Sequence, residues 1–374
     1  MKKVLTVMLA FLIAFLPMRK SHAIEGKTAY LLGEANAGII LEEENADEQL
    51  PAAGMIRLMS CLLFFENFRE NEEVRVSAAA AKKTGTRVFL DAGAVYPYEK
   101  ILEAVVWCGA NDAAAALAEH LFGTEEAFAE EMNKRAAELG LSAKFADATG
   151  LFEEQHMSAR DIFKIAQALS AYPKFFQMSG NYMGNFTHNS GRETEMVNPN
   201  RLVRTEKIDG MATASSKTAG YCIAASLKSG QARYIAVVLG EKDSNSRFQR
   251  ALSGLSFADA KYTLLGIAKK GVKIGRVSAL GAEEEYYPVC AAEDLFILCE
   301  RGQENGIRKE IMADEISAPM FAGDLVGRLV CTMADGEVFE VGLILGADVR
   351  ERSFGSVLGE ILKRFLCTEM RTVR

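Results

Sequence analysis

The sequence predicts an α/β domain followed by a small all-β domain, and three patterns carry that prediction. Pairs of short apolar segments around turns lie near the N-terminus and again at residues 220–239. Helix-spaced apolar residues fill much of the chain between them. After Lys269-Lys270-Gly271, short alternating segments take over, with turn residues between them. A chain of 374 residues can bury a large core and has room for two domains. Its 49% hydrophobic and 25% charged residues are those of a soluble globular protein.

The chain opens as a targeting segment. Lys2 and Lys3 precede an apolar run, Val4 to Leu16, which is short for a membrane span, and Ser21-His22-Ala23 offers a cleavage site. The mature chain is expected to start near Ile24. Arg19 and Lys20 leave a retained anchor open as the other reading. Tyr30-Leu31-Leu32 and Gly38-Ile39-Ile40-Leu41 read as strands around Asn36-Ala37-Gly38.

Ala53 to Phe68 is apolar nearly all round, so it reads as a helix buried on most faces. Further helices are expected at Tyr98–Cys108, Asp112–Leu121, Glu125–Leu139 and Ala159–Leu169, the last capped by Ser158 with Asp161 at its third position. A polar stretch, Ser179 to Thr194, follows. Gly220–Ala225 and Arg233–Leu239 read as a hairpin, and a helix from about Ser256 to Ala268 is expected to close the domain. Strands are expected at Val272–Leu280, Asp294–Glu300, Leu325–Thr332 and Val338–Leu345. The expected divisions are 1–23, 24–270, 271–348 and a tail, 349–374. In that tail Phe354, Val357, Leu358, Ile361, Leu362, Phe365 and Leu366 form one stripe, with Arg352, Lys363 and Arg364 on or beside the other face. The pattern fits a helix lying on a membrane surface, or one packed on its own domain.

Loss of the leader removes four basic residues and takes the net charge from −7 to −11. The tail is net basic, so the acidity is concentrated in the body. An acidic body argues against nucleic acid as a partner, and a basic tail suits an anionic membrane. Seven scattered cysteines are not a disulfide framework. They read as small core residues, with a Cys290–Cys299 pair as the alternative. Four histidines and no Cys/His cluster of ligand spacing point to no metal, and no cofactor is expected.

The richest segment is Gly109-Ala110-Asn111-Asp112-Ala113-Ala114, with Leu117-Ala118-Glu119-His120 after it. With Asn45-Ala46-Asp47-Glu48, Gly150-Leu151, His156, Ser158-Ala159-Arg160-Asp161, Asn200-Arg201-Leu202, Asp209-Gly210-Met211 and Ala219-Gly220-Tyr221-Cys222, it resembles the serine-type D-alanyl-D-alanine carboxypeptidases, the low-molecular-mass penicillin-binding proteins of peptidase family S11. The resemblance runs from about Ala29 to Leu345. It implies a penicillin-binding, β-lactamase-like α/β domain with an antiparallel sheet. A β-rich domain and an amphipathic tail would follow it.

Catalysis in that family needs Ser-x-x-Lys at a helix start, Ser-x-Asn, and Lys-Thr-Gly on a strand. The first pattern falls on Gly54-Met55-Ile56-Arg57, the second on Gly109-Ala110-Asn111 and the third on Ala212-Thr213-Ala214. Glycine has no nucleophile, and arginine stays protonated, so it cannot act as a base near neutral pH. Only Asn111 and Thr213 keep the family's residue type. The spacings between the three patterns fit the family, so no lost segment explains the changes. Lys83-Thr84-Gly85 is a literal match in the wrong place, expected on a polar surface. Lys217-Thr218-Ala219 falls in the turn after the third pattern. Ser60 lies almost two turns beyond the nucleophile position.

The expected protein is therefore an exported homologue, facing outward from the cytoplasmic membrane, without catalytic residues. It would bind peptidoglycan stem peptides or a cell-wall enzyme, with Asn111, Thr213 and Arg57 as substrate-binding candidates. For Arg57, space filling or pairing with an acid is the other reading, and Asn111 and Thr213 equally suit a folding role. The alternative function is an active D,D-carboxypeptidase that trims the terminal D-Ala. A serine β-lactamase fails on the same missing serine.

Overall fold

The computed structural model describes residues 27–362 except Glu153, Ser356, Glu360 and Ile361, so the expected leader lies outside the described residues. The chain divides into two compact units. One holds the chain up to Leu32 with Glu42–Ser226 and Ile235–Ser253, and the other holds Gly33–Leu41, Leu227–Tyr234 and the chain from Gly254 onward.

Strands β1 (Ala29–Glu34), β2 (Ile39–Glu44), β3 (Ile208–Ser216), β4 (Gly220–Ser229) and β5 (Ala232–Glu241) form an antiparallel sheet in the order β2-β1-β5-β4-β3. Both expected hairpins are present. The inner strands β1, β4 and β5 are buried along most of their length, which explains their continuous apolar runs. Strand β3, which carries the third motif position, is at the sheet edge.

Helix α1 (Arg57–Glu66) buries eight of its ten residues, as an all-round apolar helix must. It packs against α2 (Tyr98–Cys108), α3 (Asn111–Phe122), α4 (Glu125–Glu138) and α5 (Ala159–Leu169). Phe64 stacks on Phe128 with ring centres 5.1 Å apart. The expected start at Ala53 is a 3₁₀ turn, Ala53–Ile56, because Ala53 takes φ 45° and the regular helix begins only at Arg57. Helix α5 has the expected cap. The Ser158 hydroxyl accepts from the Asp161 N–H at 2.9 Å, and the Asp161 carboxylate accepts from the Ser158 N–H at 3.1 Å. Helix α6 (Pro173–Ser179) leads into the stretch expected to be a polar loop.

That stretch is a hairpin, Met183–Thr187 paired with Glu193–Val197. Buried Phe186 and Met196 alternate with exposed neighbours, and the polar residues of the stretch concealed the period of two. The helix expected at 256–268 instead spans Ser244–Lys261 and is labelled α7. A strand, Tyr262–Ala268, follows and pairs with Leu295–Glu300. The apolar spacing suited either structure, and Tyr262, Thr263 and Ile267 favour the strand.

In the second unit, six strands lie in the order Arg308–Ala313, Leu325–Thr332, Val338–Leu345, Tyr286–Ala291, Lys273–Leu280, Ile316–Ser317. Val289, Ile297, Cys331 and Leu343 lie in their core. Cys290 and Cys299 are both free, on strands of different sheets, so that pairing does not form. Among the described tail residues Phe354, Val357, Leu358 and Leu362 are exposed. Ile361, Phe365 and Leu366 of the expected stripe lie outside the described residues. Among the described residues no helix is long and apolar enough to cross a membrane.

Asp112 ties the α2–α3 corner to the segment before it. Its buried carboxylate accepts from the N–H groups of Val88 at 3.2 Å and Leu90 at 3.0 Å. Asp112→Ala leaves two buried donors unpaired and is expected to lower unfolding stability in urea by about 2 kcal/mol or more. A loss below about 0.5 kcal/mol would contradict this role.

Candidate functional site

The 3₁₀ turn places Gly54 one turn before Arg57, and α2 ends at Gly109 in the left-handed conformation, φ 71°. The Arg57 guanidinium lies between the two glycines. A Cβ on residue 54 would sit 2.5 Å from Nη1 and Nη2 and 2.6 Å from Cζ. A Cβ on residue 109 would sit 3.0 Å from Nη2 and 3.2 Å from Cζ and Nε. The guanidinium therefore takes the space in which side chains at both positions would begin.

Arg57 Nη1 donates to the Thr149 carbonyl at 2.8 Å. That carbonyl is held by a tight loop in which the Asp147 carboxylate accepts from the N–H groups of Thr149, Gly150 and Phe152. Gly150 makes the approach possible. With φ 81°, its Cβ would lie 2.6 Å from the Ala53 carbonyl oxygen. Burial pushes the Arg57 guanidinium below its ordinary value, and the Asp147 charge partly opposes that. Arginine remains charged through such a shift near neutral pH.

Asn111 opens α3. Its Nδ2 donates to the Thr84 carbonyl at 2.8 Å, and its backbone N–H donates to Thr86 O at 2.8 Å. Its Oδ1 is buried with no partner among the described residues. Gly85, at φ 79°, lets this contact form, since its Cβ would fall 2.7 Å from Asn111 Nδ2. The segment expected on a polar surface thus places Gly85 and Thr86 in the wall of the cleft, while Lys83 turns to an ion pair with Glu125.

Gly54, Arg57, Asn111, Thr213 and Ala214 line one cavity of about 370 Å³. Gly109 and Ala212 line a neighbouring void of about 30 Å³, which Arg57 and Thr213 also border. Arg247 on α7 completes the cleft, and no sequence motif announced it. Its Nη1 donates to the carbonyls of Ala214 at 2.9 Å and Cys222 at 3.1 Å, and its Nε is buried without a partner among the described residues. Burial pushes this guanidinium down as well. Asp243 and Ser244 mark a helix start in the sequence, yet nothing local shows that Arg247 reaches the edge strand.

Among the described residues no carboxylate lines the cleft, and the titratable side chains that do are Arg57, Arg247 and Cys108. Burial and the Asp112 charge push the Cys108 thiol up to about 11, so it is not a thiolate near neutral pH. Ser60 is fully buried and donates to the Ala148 carbonyl at 2.8 Å, away from the cleft. Two fixed cations, an unpaired amide oxygen and an edge strand suit a peptide with a free carboxylate. Among the described residues no group of His, Cys, Asp or Glu could hold a metal.

The D-alanyl-D-alanine carboxypeptidase family model of peptidase S11 matches residues 18–243, and the C-terminal domain of penicillin-binding protein 5 matches 262–351. The chain belongs to the D-alanyl-D-alanine carboxypeptidase family. It is 34% identical over 326 residues to the carboxypeptidase DacF of Bacillus subtilis, covering 84% of this chain and 83% of that one. It is 24% identical over 357 residues to DacA of Escherichia coli, covering 90% of this chain and 86% of that one. The solved structure of penicillin-binding protein 5 from Haemophilus influenzae has the same fold, with a TM-score of 0.74 at 24% identity, covering 86% of this chain and 97% of that one.

In this carboxypeptidase homologue, Gly54→Ser alone must displace the guanidinium from Thr149 O. A hydrogen bond from a charged donor contributes about 1.5–3 kcal/mol, so a loss of that order is expected in chemical denaturation. Adding Arg57→Lys should recover most of it, giving a coupling above about 0.5 kcal/mol in a double-mutant cycle. Additive effects would contradict the steric link.

Proposed function

We propose that this homologue binds the D-Ala-D-Ala end of peptidoglycan stem peptides reversibly and does not cleave it. The observation that carries the reading is the Arg57 guanidinium, 2.5 Å from where a nucleophile's side chain at residue 54 would begin. Loss of the nucleophile alone costs serine hydrolases roughly 10⁶-fold in turnover. Here the base position is a permanent cation, and the remaining cleft thiol is protonated near neutral pH. The two guanidinia offer charge-assisted hydrogen bonds to a terminal carboxylate. Asn111 Oδ1 accepts the ligand's amide N–H, which relieves a buried acceptor whose isolation costs about 1–3 kcal/mol. Thr213 contributes its hydroxyl at the cleft edge.

The N-terminal leader pattern supports export, and the exposed Phe354, Val357, Leu358 and Leu362 support contact of the tail with the outer face of the cytoplasmic membrane. The competing reading, an active D,D-carboxypeptidase, is favoured by the extent of similarity to DacF.

Calorimetric titration with an N-acetylated peptide ending in D-Ala-D-Ala, beside its C-terminal amide, tests the reading. The acid is expected to bind at millimolar or lower concentration, with at least about tenfold weaker binding of the amide. The peptide should be recovered intact. Release of free D-Ala would establish the competing reading, and no binding of the acid would overturn the proposed one.

A further inference from the structure

Beside the cleft lies a larger cavity of about 630 Å³, and Ser215 and Ser216 line both. Close backbone approaches build its walls. Gly240 has φ 77°, and its Cβ would lie 2.5 Å from the Lys27 carbonyl oxygen. Gly220 has φ 63°, and its Cβ would lie 2.7 Å from the Glu241 carbonyl oxygen. The turn between β3 and β4 is fixed by Ser216, whose Oγ accepts from the Ala219 N–H and pairs with Thr218 Oγ1, both at 3.0 Å. That turn holds Lys217 at the cavity wall.

The lining charges are Lys27, Lys217, Lys242 and Glu241. Lys27 is paired with Glu48 at 2.9 Å, and Glu241 with Arg250 at 3.4 Å. Lys217 and Lys242 make no ion pair among the described residues. The nearby Asp243 carboxylate is held below the usual range chiefly by hydrogen bonds from the Ser246 N–H and hydroxyl, and it also accepts from the Asn245 N–H at the start of α7. Two lysines without an ion pair among the described residues thus line a cavity of ligand size.

We propose that this cavity is a second subsite, which takes an anionic side chain of an extended peptide whose C-terminus occupies the cleft. The inference rests on the binding reading above and narrows its ligand to an acidic peptide. The edge strand β3 supplies the connection. A peptide added alongside it would extend the sheet at this edge. From Thr213 to Lys217 is four residues, about 14 Å at roughly 3.4 Å each. The anion therefore belongs three or four residues before the C-terminus.

Titration of the full chain with two N-acetylated peptides ending in D-Ala-D-Ala tests this. One carries Glu three residues before the C-terminal residue and the other carries Gln there. The Glu peptide is expected to bind more tightly by about threefold per lysine engaged, the range of exposed ion pairs. The advantage should shrink between about 0.05 and about 0.5 M salt. It should vanish in Lys217→Gln/Lys242→Gln, with affinity for the Gln peptide and the thermal midpoint unchanged. Equal affinity of native protein for the two peptides overturns the subsite and leaves the cleft reading intact. Binding of neither overturns both.

Discussion

The packing of one guanidinium between two glycines governs the site. The Arg57 guanidinium lies where side chains at 54 and 109 would start. The three positions therefore behave as one unit. A side chain at 54 or 109 would have to push the guanidinium aside from its bond to Thr149 O. The same guanidinium carries a charge that desolvation does not remove near neutral pH. Among the described residues, the cleft that results is lined by two guanidinia and no carboxylate.

The scaffold around the altered residues retains two backbone conformations that cost energy. Ala53 takes φ 45° immediately before the nucleophile position, and Met211 takes φ 86° immediately before Ala212. Non-glycine residues held in this region cost of order 1–3 kcal/mol each. Gly210 presses against Ser179, where its Cβ would lie 2.3 Å from the hydroxyl oxygen, and Asn200 Nδ2 donates to the Gly210 carbonyl at 3.1 Å. These contacts hold the edge strand in place beside the cleft.

Much of this was legible in the sequence. Helices α2 and α5 match their expected limits because their apolar period ends at identifiable signals, Gly109 after α2 and the Ser158–Asp161 box before α5. Motif spacing located Gly54, Asn111 and Thr213, which the fold brings to one cavity. The hairpin at 183–197 was hidden because its exposed side chains outnumber the two that mark its buried face. Strand 262–268 was hidden because a short apolar run suits either helix or strand. Arg247 and the contact of Arg57 with Gly109 arise from residues far apart in the chain, and a single sequence carries no local signal for either.

Intact-protein mass after exposure to benzylpenicillin tests the central claim most directly. The native chain is compared with a variant carrying Gly54→Ser, Arg57→Lys, Gly109→Ser, Ala212→Lys and Ala214→Gly. The account predicts no covalent adduct on the native chain and one penicillin added to the restored variant at residue 54. A stoichiometric adduct on the native chain, mapped to any serine or to Cys108, would contradict it.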